Sequence, residues 1–153
     1  MTSPLRCTAY HEAAHAVIYL YFGIEVEQVT LSPCGAGCCS VSNDLPPSAG
    51  RLLAILAGAE ADKLLLAEHA DILNHRKTGW ATDLERAGDV FRLIGHYGKF
   101  EDAVEESARL VMDKWHTISS LAELWITSCE ENFAAGDPLY IMMGHEVKSY
   151  VER

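Results

Sequence analysis

His11, Glu12 and His15, in the segment TAYHEAAHAVIYLYFG (residues 8–23), have the types and spacing to hold a metal ion beside a base. On a helix, positions i and i+4 lie one above the other, so both imidazoles can reach one ion. Glu12, three residues before His15, lies beside them. Zinc-assisted hydrolysis needs this set: two neutral ring nitrogens for the ion, and a carboxylate to take the proton of a water. The same stretch is alanine-rich and apolar. Its plain alternative is a buried helix that happens to carry two histidines, and a helical context with a third ligand separates the two.

A catalytic zinc site keeps three protein ligands and one open position. A metzincin would need a glycine at position 18 and a third histidine at 21. The chain has Ile18 and Tyr21 there, which excludes that class. A carboxylate from a later helix remains. The candidates are Glu60 and Asp62 in AGAEADK, and Asp83 in TGWATDLERAG. Asp83 falls in the first turn of a predicted helix after a glycine-containing loop, a position that can point a carboxylate into a cleft.

The elements that must position these residues are readable in outline. A first helix is predicted from about Leu5 to Phe22, ended by Gly23 in the C′ position that suits glycine. IEVEQVTLS then alternates apolar and polar residues as a half-buried strand does. PCGAG turns the chain into a short second strand, CCSVS, so residues 24–42 read as a hairpin. A second apolar helix follows in AGRLLAILAGAEADKLLLAEH, with Leu52, Leu53, Leu56, Leu64 and Leu65 as expected core. ADILNHRKTGW is a polar connection. In TDLERAGDVFRLIGHYG, Thr82 with Glu85 three residues later reads as a capping box that starts a helix at Thr82 or Asp83. Residues 101–133 read as one or two helices, with Val104, Ala108, Val111, Trp115, Ile118, Leu121 and Leu124 at helical spacing. A short extended piece and a small helix near GHEVKSYV close the chain. The expected class is mainly α (α+β): a zincin-like helical bundle with one small β-hairpin, in a single domain spanning residues 1–153.

Composition narrows the function classes. A net charge of -10 argues against nucleic acid and anionic membrane surfaces as partners, since both favour a basic face. The longest apolar run, AAHAVIYLYFGI, is about a dozen residues, whereas a membrane span needs about 20. No basic-then-apolar leader opens the sequence, so a soluble, cytoplasmic protein is expected. GHYGKF lacks the earlier glycine and the following Ser/Thr of a phosphate loop. Of the five cysteines, Cys34, Cys38 and Cys39 cluster in PCGAGCC and are expected as reduced thiols. A second zinc site there would need a downstream ligand pair that the sequence does not match to it. His69, His75, His96, His116 and His145 are scattered and read as non-functional, and Trp80, Trp115 and Trp125 as packing residues.

Three blocks, in order, resemble the protease domain of FtsH, the membrane-anchored AAA zinc metallopeptidase. AYHEAAHAV is similar to that family's A-Y-H-E-A-G-H-A block, LLAILAGAEADKLL to its L-G-G-R-A-A-E-E-L block, and TGWATDLERAGDVFRLIGHYG to its T-G-A-x-N-D-L-x-x-A block. ISSLAELWI and GHEVKSYV look like its C-terminal helical part. The resemblance implies His11 and His15 as zinc ligands, Glu12 as general base and Asp83 as third ligand. Asp62 matches an acidic position near the family's site, which implies a carboxylate that orients a ligating ring or an alternative ligand. The chain departs from the family in its cysteine-rich turn, in H-E-A-A-H for H-E-A-G-H, and in carrying neither an ATPase module nor a membrane span. The expected function is an ATP-independent zinc metalloendopeptidase acting on peptides or unfolded protein segments, which would add as a strand along the hairpin edge near residues 37–42. The alternatives are a non-catalytic zinc-binding adaptor, or a latent peptidase that needs a separate AAA ATPase partner. A homo-oligomer is also compatible, because the family's protease domains pack in a six-fold ring.

Overall fold

The computed structural model describes residues 3–67, 80–95 and 97–153. In order, the elements are α1 (Pro4–Tyr21), β1 (Val26–Leu31), β2 (Gly37–Val41), α2 (Ala49–Leu65), α3 (Ala81–Ile94), α4 (Phe100–Asp113), α5 (Trp115–Ala134), β3 (Tyr140–Met143) and α6 (Gly144–Val151). The fold is mainly helical with one small antiparallel sheet, the class that the periodicities predict. No helix among the described residues is long and apolar enough to cross a membrane.

α1 is the central element. Ser3 caps it, its hydroxyl accepting from the Arg6 N–H at 3.1 Å, and Pro4 opens it where a missing N–H costs nothing. At the other end Gly23 takes φ 71, its N–H bonds the Leu20 carbonyl at 3.0 Å, and the Ile24 N–H bonds that of Tyr19 at 2.9 Å. These two bonds are a Schellman motif, which stops the helix where the glycine predicts. Every residue from Cys7 to Tyr19 is buried, so α1 is covered on all sides. The plain alternative and the metal reading thus describe the same helix.

α2 covers α1 most extensively, with α5 on another side, and α4 backs α2. Small residues make the first of these contacts. Ala54, Gly58 and Ala61 are buried at i, i+4 and i+7 along α2, and Gly58 lies against the rings of His11 and His15, so the two backbones approach closely. Leu52, Leu53 and Leu56 lie in the core as predicted. Leu64 does not: it is exposed, and Leu65 is only half-buried. Leu64 stands two residues past the buried Asp62, about 200° round the helix, and so faces outward. Leu66 takes the buried place instead. Residues 100–134 form two helices broken at Lys114, with Val111, Ile118 and Leu121 buried and Val104, Ala108, Trp115 and Leu124 half-buried.

The predicted hairpin is present, with Val29 opposite Cys39 and Leu31 opposite Gly37. The closing extended piece is more than that: it is β3, which pairs antiparallel with β1, placing Thr30 opposite Ile141. The strand order is therefore β2-β1-β3, and the outer edge of β2 has no strand beside it among the described residues.

The start of α3 differs from the predicted capping box. Trp80, not Thr82, is the cap residue, no side chain bonds the helix end, and the Leu84 N–H already bonds the Trp80 carbonyl at 2.8 Å. The buried Trp80 indole is anchored on Asp62, which starts the helix at Ala81 and moves Thr82 into its first turn. The polar connection, Trp80 excepted, lies outside the described residues, as do His69, His75 and His96.

Candidate metal centre

The close contact of α1 with α2 fixes both histidine rings. His15 Nδ1 lies 2.8 Å from the Ala54 carbonyl oxygen of α2. A carbonyl only accepts, so Nδ1 carries the hydrogen, and the neutral ring keeps a lone pair on Nε2. His11 Nδ1 lies 2.9 Å from Oδ2 of Asp62, a fully buried residue. The same oxygen accepts the Trp80 indole N–H at 2.7 Å. A carboxylate accepting both hydrogens holds His11 in the same tautomer as His15.

Both Nε2 atoms then face one spot. They are 3.1 Å apart, and Asp83 Oδ2 lies 2.9 Å from His11 Nε2 and 3.2 Å from His15 Nε2. Ligands held tetrahedrally at zinc's usual bond lengths stand about 3.3 Å apart, close to this triangle. His11, His15 and Asp83 are thus a group that could hold a metal ion. The floor beneath it is Gly58 of α2. A Cβ built there would lie 2.5 Å from both Nε2 atoms, so only glycine leaves this space open.

The donor set calls for a positive charge. Burial disfavours charge on His11, yet Asp62 and Asp83, hydrogen-bonded to the ring, outweigh it and raise the His11 pKa to about 10. Burial acts on Asp83 in the direction of protonation, but His11 and His15 hold it well below the usual carboxylate range. In the bare protein a proton meets this demand. A divalent cation meets it with all three donors used as lone pairs, so the residues present fit such an ion.

Glu12 is buried and lines a cavity of about 290 Å³ together with the three donors. It belongs to the wall, not to the triangle. β2 forms the facing wall through Gly37, Cys38 and Cys39. The contact is tight: a Cβ on Gly37 would fall 3.1 Å from Glu12 Cγ and 2.5 Å from Thr8 Cγ2. The edge strand β2 and the donor triangle therefore border one cavity.

The remaining candidates fall elsewhere. Glu60 pairs with Lys63 at 2.6 Å and takes no part in the triangle. Asp62 stands behind His11, on the nitrogen turned away from it. Cys34, Cys38 and Cys39 join no metal-binding group among the described residues, and the exposed His116 and His145 join none either. Several residues escaped the sequence reading. Trp80, read as packing, donates to Asp62. Gly58 and the Ala54 carbonyl shape the site without any chemistry of their own. Arg86, one turn beyond Asp83, lines the cavity, and its i+3 spacing from Asp83 was the available signal. No protein-family model matches the chain, and no curated protein matches it.

Proposed function

We propose that the chain is a zinc metalloendopeptidase that hydrolyses peptides or unfolded protein segments. The observation that carries this reading is the approach of His11 Nε2, His15 Nε2 and Asp83 Oδ2 to within 3.2 Å of one another, with Glu12 in the same cavity. Two imidazoles and one carboxylate suit zinc, which would have a fourth position to offer a water. Bound there, zinc supplies Lewis-acid activation of a water and of the peptide carbonyl. Asp62 and the Ala54 carbonyl keep the two rings in the ligating tautomer. Glu12 takes a proton from the attacking water and hands it to the departing nitrogen. The water oxygen forms the new C–O bond, the C–N bond breaks, and the products are a carboxylate and an amine. The outer edge of β2 accepts the substrate backbone as an added strand, which brings a peptide carbonyl alongside Glu12. The three sequence blocks that resemble the FtsH protease domain support the same roles for the same residues.

The test is cleavage of a permanently unfolded protein by the zinc-loaded chain without nucleotide, run beside Glu12→Gln. Wild type should cut, and the variant should be slower by about a hundredfold or more. Stoichiometric zinc without cleavage would overturn the reading, in favour of a zinc-binding adaptor or a peptidase that waits on a separate AAA partner.

A further inference from the structure

The cavity is lined by one arginine that the proposed reaction does not use. Arg86 lies on α3, three residues after Asp83, and lines the cavity with it. Three described cations form ion pairs, Arg6 with Glu123, Lys63 with Glu60 and Arg92 with Asp89, and none of these lines the cavity. Among the described residues, Arg86 has neither an ion pair nor a hydrogen bond. Its nearest candidate by spacing, Asp83, is turned to the two histidines instead.

Among the described residues, Arg86 is the one lysine or arginine in the cavity lining, and its planar guanidinium has the geometry that matches a carboxylate. Tyr19, four residues after His15 on α1, lines the same cavity, and burial keeps its phenol protonated as a donor. β2 has no cation to offer along the facing wall, since Gly37, Cys38 and Cys39 line it. We infer that Arg86 is a specificity-determining residue that binds a carboxylate of the peptide substrate, selecting acidic segments or free chain ends at the metal cavity. This rests on the peptidase reading and adds its substrate class.

Binding separates the two claims. The zinc-loaded full chain carrying Glu12→Gln is titrated with three versions of one unstructured peptide, each with the same uncharged N-terminal fluorophore. One carries an internal Glu and an amidated C-terminus. The second has Gln and a free C-terminal carboxylate, and the third has Gln and an amide. Fluorescence anisotropy should give at least one single-carboxylate peptide about fivefold or more over the uncharged one, the scale of a charged hydrogen bond partly screened by water. The advantage should shrink as salt is raised, vanish in Arg86→Gln and survive in part in Arg86→Lys. Preference for the internal Glu would assign acidic side chains, and preference for the free end would assign chain termini. Equal binding of all three peptides would overturn the role of Arg86 and leave the peptidase reading standing. Binding of none would overturn both.

Discussion

At Gly58, helix propensity and site geometry pull in opposite directions. Alanine is favoured over glycine inside a helix by about 1 kcal/mol. Its methyl group, however, would sit 2.5 Å from Nε2 of both His11 and His15. Gly58→Ala should therefore fold with a stability change of no more than about 2 kcal/mol, while its zinc affinity falls about tenfold or more, the scale of disturbing groups around a metal ligand. Urea unfolding of the metal-free chain and zinc competition against a chelator measure the two effects separately. Unchanged affinity would mean that the rings do not need the space above Gly58. This residue also marks where reading the sequence stops. His11, Glu12 and His15 were legible because i, i+4 spacing is a local property of one helix. Asp62 and Asp83 stand 51 and 72 residues from His11, and spacing left Glu60 a candidate beside Asp62. The start of a predicted helix favoured Asp83, and resemblance, not periodicity, ranked Asp62 behind it. Trp80 read as packing, because nothing beside it in sequence reveals that its N–H meets Asp62.

The elements divide the same way. The end of α1 and the β1–β2 hairpin were legible, because Gly23 and the rough alternation of Ile24, Val26, Val29 and Leu31 act within a few residues. The pairing of β3 with β1 was not, since it joins the two ends of the chain, and the apparent capping box of α3 yielded to the tertiary anchor of Trp80. The contact that matters most for the site, α1 against α2, left only a run of small residues as its trace. Its role can be tested by widening it. Ala54 is fully buried, shares the helix face of Gly58, and lends its carbonyl to His15. Ala54→Leu should push the helices apart at a cost of about 1–3 kcal/mol, the usual range for overpacking. Because the same shift withdraws the acceptor from His15 Nδ1, zinc binding should weaken along with stability. Denaturant melts with and without zinc read both losses. If stability fell and zinc affinity did not, the orientation of His15 would not depend on the closeness of the two helices.

For the molecule as a whole, the triangle is a bond between distant parts of the chain. Its donors come from the first helix and from α3, and its supports from α2, so the site exists only when all three have docked. Composition gave only expectations about partners at this scale, and it could not show that the site would double as a clasp. An ion that binds the folded chain and not the unfolded one adds about 2.7 kcal/mol at a hundredfold excess over its Kd. For a chain of 153 residues that corresponds to a melting temperature about 5–10 °C higher with zinc than with a chelator. One effect works against this. The chain has five cysteines and seven histidines, which can take up zinc after unfolding and reduce the gain. Asp83→Asn is the informative control, because it keeps every one of those residues and removes only the carboxylate of the triangle. Calorimetric scans should show the zinc-dependent rise in wild type and little of it in Asp83→Asn. A rise of equal size in both would place the stabilising ion somewhere other than between α1 and α3, and the peptidase reading would lose its metal.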